Sequence, residues 1–292
     1  MDFRSPDCTM TVLPMSGRKL SCLPVSYFNK IINGEMSIYS WIAEASLLGF
    51  NGADLSILFF KDRSLNRLKK IRENYEISDL KLPLLNTYPQ LLHPDIEIRR
   101  GEINQLKEDI QLAKILGAEN VRLVSGQWFP GVTRKEGLQR TLNGLEAASE
   151  AALKCGVGLV YENHSQPSTW KYPDYAFNPE NFLEICEQLK NTNIKILFDT
   201  ANPIAYGIDP LPLLKEVFDR VSCIHIADSS VRGKLVPSVI GRGLVPFPEI
   251  CMYLKRNNYE GWLSIEEASN TGQNGIKTAC KFVMDMMKSL TA

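Results

Sequence analysis

The stretch Gly156-Val157-Gly158-Leu159-Val160-Tyr161-Glu162-Asn163-His164 decides the reading of this chain. An apolar run opened by glycine has the character of a strand buried on both faces in a parallel sheet. At its C-terminal tip stand a carboxylate, an amide and an imidazole. Burying such groups unpaired is costly, so they make a poor structural element and a good site element. The layout returns three times, as Ile194-Lys195-Ile196-Leu197-Phe198-Asp199, Val221-Ser222-Cys223-Ile224-His225 and Trp262-Leu263-Ser264-Ile265-Glu266. Each run ends in a residue able to bind a metal ion. Four strands thus deliver Glu162, Asp199, His225 and Glu266 to one end of a sheet.

Upstream of this stretch the chain alternates between strand and helix signals. Leu20 to Phe28 reads as a first strand, with Val25, Tyr27 and Phe28 as β-formers. Ser37 caps a helix carrying Ile38, Trp41, Ile42, Ala45 and Leu48 at helical spacing, and Gly49 stops it. Strands are expected over Ala53 to Phe60, Leu80 to Leu85 and Asn120 to Ser125. Helices are expected over Leu65 to Tyr75 and Glu97 to Leu116, with another through Leu138, Leu142, Leu145, Ala148 and Ala152. Downstream, helices over Pro179 to Leu189, Leu211 to Phe218 and Pro248 to Arg256 precede the last three strands, and a final one covers Asn274 to Leu290. Eight alternations imply right-handed parallel βαβ units and a single-domain α/β fold, the (β/α)8 TIM barrel. Residues 1–17 are expected as a weakly ordered tail, with the barrel domain over 18–292. An open doubly wound sheet is the competing fold. Against it, no strand is followed by a G-x-G-x-x-G turn, and four consecutive strand ends carry the chemistry.

Composition narrows the function. Thirty-three basic residues balance 33 acidic ones, so no global field attracts nucleic acid or an anionic membrane. No stretch is long and apolar enough to span a bilayer, and the first twenty residues lack a signal-peptide core. Seven scattered cysteines without a C-x-x-C pair argue for reduced thiols and a cytoplasmic setting, not for a disulfide frame. Homo-oligomerisation is left open.

Two glutamates, an aspartate and a histidine on adjacent strand ends suit Mn²⁺, Mg²⁺ or Co²⁺, and could accept Zn²⁺. Glu162 and Glu266 have a second use as a proton-transfer pair. One could take a proton from carbon beside a carbonyl and the other return it, with the ion stabilising an enediolate.

The chain resembles the xylose isomerase-like TIM barrels, the sugar phosphate isomerases/epimerases. The resemblance runs from about Leu20 to Leu290. It rests on Glu162-Asn163-His164, Phe198-Asp199-Thr200-Ala201-Asn202, Ile224-His225-Ile226-Ala227-Asp228, Gly241-Arg242-Gly243 with Phe247, and Gly261 to Glu266. It implies a metal-dependent isomerase or epimerase, of the ketose 3-epimerase kind, whose partner is a small carbohydrate substrate. One divalent ion would sit on Glu162, Asp199, His225 and Glu266, and the two glutamates would exchange the substrate proton. The family also holds inosose and 3-dehydroshikimate dehydratases, so a lyase using the same site is the alternative. Asn202 stands where many relatives place a substrate-touching histidine, and Ala227 where many place lysine. With three histidines in the chain, the histidine-rich, three-metal endonuclease IV branch is excluded.

The long connections fall at the C-terminal mouth, where such barrels keep their sites. They carry His93, Trp128, Trp170 and Arg242, which with His164 and Asn202 form the expected substrate-binding set. Each has a plainer reading. The tryptophans could pack loops, the histidines could bond locally, and Arg242, with Arg232 and Lys234, could solvate a loop or meet a phosphate. Arg122, inside a strand, is expected as a buried arginine with a carboxylate partner. Glu267 should point away from Glu266, because strand side chains alternate.

Overall fold

The structure is a computed structural model, and it describes residues 19–167 and 169–289. The expected tail, residues 1–17, lies outside the described residues. Eight parallel strands form one sheet: β1 (Leu20–Leu23), β2 (Leu55–Ser56), β3 (Leu82–Asn86), β4 (Ala118–Leu123), β5 (Gly158–Glu162), β6 (Lys195–Asp199), β7 (Val221–Ile226) and β8 (Trp262–Glu266). The order β1-β8-β7-β6-β5-β4-β3-β2 curls them into a barrel. At the seam between β1 and β2, Gly52 and Asp54 donate backbone N–H groups to Leu20 and Cys22, which brings the barrel close to closure. Around it lie α1 (Phe28–Asn33), α2 (Ile38–Leu47), α3 (Leu65–Ile77), α4 (Ile96–Leu116), α5 (Arg134–Cys155), α6 (Pro179–Gln188), α7 (Ala201–Tyr206), α8 (Pro210–Val217), α9 (Phe247–Arg256) and α10 (Gln273–Ser289).

The helices start and stop where side-chain chemistry dictates. Ser37 caps α2 by accepting from Ser40 N. Thr133 and Glu136 form a reciprocal capping box at α5. Gly117 and Gly156 end α4 and α5 in the left-handed region, a conformation cheap only for glycine. Two strands are shorter than expected. Pro24 lacks an N–H and ends β1, and a 3₁₀ turn over Val25–Tyr27 follows. The Ser56 side chain accepts from Leu58 N and bends the chain after β2 into another such turn, Ile57–Phe59.

Period-two alternation sorts the core into two shells. Leu159, Tyr161, Ile196, Phe198, Ile224 and Ile265 face the helices. Leu84, Val160, Leu197, Cys223 and Trp262 fill the barrel interior. The inward set continues upward along each strand. Two residues above Val160, Leu197, Cys223 and Ser264 come Glu162, Asp199, His225 and Glu266. The apolar plug is thus the floor of the polar cluster.

Candidate metal centre and active site

The four strand-tip residues converge. Each of Glu162, Asp199, His225 and Glu266 offers one ligand atom, and these atoms all lie within 4.8 Å of one another. His225 Nδ1 stands 2.7 Å from Glu162 Oε1 and 3.0 Å from Glu266 Oε2. Neighbouring side chains stitch the tips together. The Asn163 amide donates to Asp199 O at 3.0 Å and accepts from Asp199 N at 2.7 Å, locking β5 to β6. Thr200 Oγ1 donates to Ala227 O at 2.7 Å and accepts from Ala227 N at 3.1 Å, tying β6 to the segment after β7. The polar neighbours of the four residues therefore hold the geometry of the cluster.

The electrostatics describe a cluster in which the charges of neighbours outweigh burial. Burial alone would lower the His225 imidazole, but the Glu162 and Glu266 carboxylates outweigh it and lift its pKa to about 10. An imidazolium between carboxylates occupies the position a bound cation would take. Burial would raise Glu162, yet Arg122 and His225 overcome it and hold that carboxyl well below the usual range. Asp199 is pushed well up, first by burial and then by the Glu266 and Glu162 charges. Three carboxylates and an imidazole nitrogen around one point fit a divalent ion.

The expected carboxylate partner of Arg122 proves to be Glu162: Arg122 Nη1 donates to Glu162 Oε2 at 2.6 Å. The guanidinium lies 4.4 Å from the centre of the Tyr88 ring. Glu267 is buried apart from the cluster, where it accepts from Ser269 N at 2.9 Å. Beyond the four, His164 and Trp170 pack edge to face with ring centres 5.4 Å apart, and His164 Nδ1 lies 3.6 Å from the buried Asp174. Asn202 is buried at the start of α7, with its N–H on Asp199. The side chains of Trp128 and His93 bond to neighbours close in sequence. The indole N–H of Trp128 donates to Val132 O, and His93 Nδ1 accepts from Asp95 N. Arg242 is exposed in the loop between β7 and α9.

Three contributors carried no local sequence signal. Tyr88 lies in a loop after β3, Asp174 in a loop after β5, and Asp54 inside a stretch read as ordinary strand. Each acts through a partner more than thirty residues away in sequence, such as Arg122 for Tyr88 and Gly126 for Asp174.

A family model for the xylose isomerase-like TIM barrel matches residues 42–286. The chain belongs to that family. An inosose dehydratase of Bacillus thuringiensis (strain Al Hakam) is 24% identical over 280 residues, covering 85% of this chain and 89% of its own. Among solved structures, a D-tagatose 3-epimerase-like protein superposes with a TM-score of 0.76 at 18% identity, over 94% of this chain and 98% of its own. The IOLI protein, solved with a binding zinc atom, gives 0.71 at 19% identity, over 93% and 99%. At these identities the structural likenesses establish the fold. No helix among the described residues is long and apolar enough to cross a membrane.

Proposed function

We propose that this protein is a divalent-metal-dependent enzyme acting on a small polyhydroxy ketone, a sugar or cyclic polyol, by removing a proton from carbon beside the carbonyl. The observation that carries the reading is the convergence of Glu162, Asp199, His225 and Glu266 within 4.8 Å. When bound there, Mn²⁺, Mg²⁺, Co²⁺ or Zn²⁺ would supply Lewis acidity that stabilises charge on the substrate oxygens. The zinc atom in IOLI supports zinc as one candidate. The chain's own residues do the rest. A glutamate of the cluster takes the carbon-bound proton. His164 and Trp170, packed together beside β5, form one wall for the substrate, and Asn202 offers an amide beside Asp199. His93, Trp128 and Arg242 are proposed for the outer mouth. The scattered cysteines support the cytoplasm as its setting.

Isomerisation or epimerisation follows if the proton returns to carbon. Dehydration follows if a hydroxyl leaves, and the similarity to inosose dehydratases favours that second reading. The test loads the metal-stripped protein with Mn²⁺ and presents an inosose, D-tagatose, L-ribulose and 3-dehydroshikimate in deuterium oxide. The expected result is metal-dependent conversion of at least one, seen by NMR as water loss or as deuterium on carbon. Metal-independent turnover, or none on any member with metal bound, would sink the reading.

A further inference from the structure

An ion on this cluster needs one oxygen from each carboxylate, so the second oxygens decide what else the carboxylates can do. That of Glu162 is taken. With Oε1 toward His225, its Oε2 accepts from Arg122 at 2.6 Å, in a pair whose side chains are 0% and 3% exposed. Arg122 is held in place for this task. Its guanidinium lies on Tyr88, and its backbone carbonyl accepts from the Thr87 hydroxyl at 2.7 Å. One Asp199 oxygen is also taken, because Oδ1 accepts from the N–H groups of Ala201 at 2.8 Å and Asn202 at 2.6 Å. Glu266 differs. Its Oε2 turns toward His225, its Oε1 has no hydrogen-bond partner among the described residues, and its side chain is 28% exposed at the mouth.

Building on the metal-site reading above, we propose that Arg122 is a positioning residue that withdraws Glu162 from proton transfer, leaving Glu266 as the one base, working on one face of the substrate. Two opposed glutamates could invert a carbon. A single one returns the proton to the side from which it came. Glu266 Oε1 takes the proton from carbon beside the carbonyl. The C–H electron pair becomes the new C=C bond, and the carbonyl π pair moves onto oxygen. The neutral Glu266 carboxyl then gives that proton to a hydroxyl on the next carbon of the same face. That C–O bond breaks with its electron pair on oxygen and water leaves. The pair held on the enolate oxygen re-forms the carbonyl, and the old C=C pair shifts to the carbon that lost the hydroxyl. The sum is ketone to unsaturated ketone plus water, with no redox partner. One base on one face thus fits a same-face dehydration, whose substrate is a ketone with a hydroxyl one carbon beyond its acidic C–H, and does not fit the inversion of a carbon.

The experiment uses the Mn²⁺-loaded protein. Calorimetry first establishes metal binding, and a wild type that binds no Mn²⁺ overturns the metal reading together with this proposal. Bromohydroxyacetone, a small hydroxy ketone that alkylates free carboxylates, is then applied and the esters are mapped by peptide mass spectrometry. Label confined to Glu266 is expected. Label on Glu162 or Asp199, or none on Glu266, overturns the proposal even with metal bound. Arg122→Met should spread the label to Glu162 and Arg122→Lys should confine it again, an effect that loss of fold stability alone would not produce. Should Arg122→Met fail to fold, Glu266→Gln supplies the second arm. Its side chain is partly exposed, so the variant should fold, and its amide oxygen still faces the ion; with Mn²⁺ raised until calorimetry shows the site filled, deuterium exchange into an inosose or D-tagatose should fall about 100-fold or more. Exchange within about tenfold of wild type in that variant overturns the assignment.

Discussion

Asp54 shows how one residue below the site sets a property of the whole chain. It points into the barrel beneath the Glu162, Asp199, His225 and Glu266 cluster, where it accepts from Ser21 Oγ at 2.8 Å, Ser264 Oγ at 2.5 Å and Leu84 N at 3.0 Å. Three donors from β1, β8 and β3 meet on one carboxylate of the β2 side, across the seam of the barrel. Burial raises its pKa to about 6, against the lowering by those hydrogen bonds. The sign follows from linkage. The folded state holds this proton more tightly than the unfolded state, so the stabilisation is complete below the ordinary value near 3.8 and is lost as pH rises through about 6. Two pKa units correspond to at most about 3 kcal/mol. Asp54→Asn, which does not titrate, should therefore gain on wild type by up to that amount between pH 4 and pH 7 in urea unfolding; parallel curves would show that Asp54 is not responsible. At this scale the sequence was most legible where chemistry ends a strand: Glu162, Asp199, His225 and Glu266 were all readable from their position after an apolar run. Asp54 was not, because its donors come from positions as far off as Ser264, and no local pattern records them.

The loop between β7 and α9 is an element built around one side chain. Asp228 accepts from Ser229 N, Gly241 N, Gly243 N and Val245 N at 2.8–3.2 Å, so a single carboxylate folds a chain of seventeen residues back on itself. Gly243 must be glycine, because an added Cβ would lie 2.2 Å from Asp228 Oδ1, and Gly241 sits at φ +86. The motif Gly241-Arg242-Gly243 therefore works through its glycines, and it sets Arg242 on the exposed rim. Removing the acceptor leaves several amides without a partner, at about 1–3 kcal/mol for each one that stays buried. Asp228→Ala should destabilise the protein by about 3 kcal/mol and open the loop to trypsin at Arg232, Lys234 and Arg242. A variant as protease-resistant as wild type would show that the loop is held some other way. Elements with long periodic faces, such as α4 and α5, were readable to within a few residues. The shortness of β1 and β2 was not, because the apolar residues after Leu23 and Ser56 look like strand while Pro24 and the Ser56 hydroxyl bend the backbone. The helix α7 also went unread: six residues started by the Asp199 side chain carry no periodic pattern of their own.

For the molecule as a whole, the eight-fold alternation made the barrel legible. Its near-closure was not, because the β1–β2 seam depends on backbone bonds and Asp54 instead of a sequence pattern. The floor of the site is the apolar plug of Val160, Leu197 and Cys223, and its walls are carboxylates that repel one another. Folding brings those charges together around the His225 imidazolium and Arg122, and a divalent cation would bind them more strongly than the imidazolium does. A metal that binds the folded chain and not the unfolded one stabilises the fold by mass action, about 2.7 kcal/mol at one hundred times its dissociation constant. For a domain of this size that is a rise in Tm on the order of 5 °C or more. Mn²⁺ added to metal-stripped protein should produce this shift and EDTA should reverse it. His225→Ala removes the one nitrogen donor of the proposed site and the charge that bridges Glu162 and Glu266, so it should lose the shift. The same variant should start from a lower Tm, because two buried or half-buried carboxylates then face each other without their shared cation. Scanning calorimetry with and without Mn²⁺ measures both effects. An equal Mn²⁺ shift in wild type and His225→Ala would place the ion elsewhere and remove the basis for assigning these four residues as its ligands.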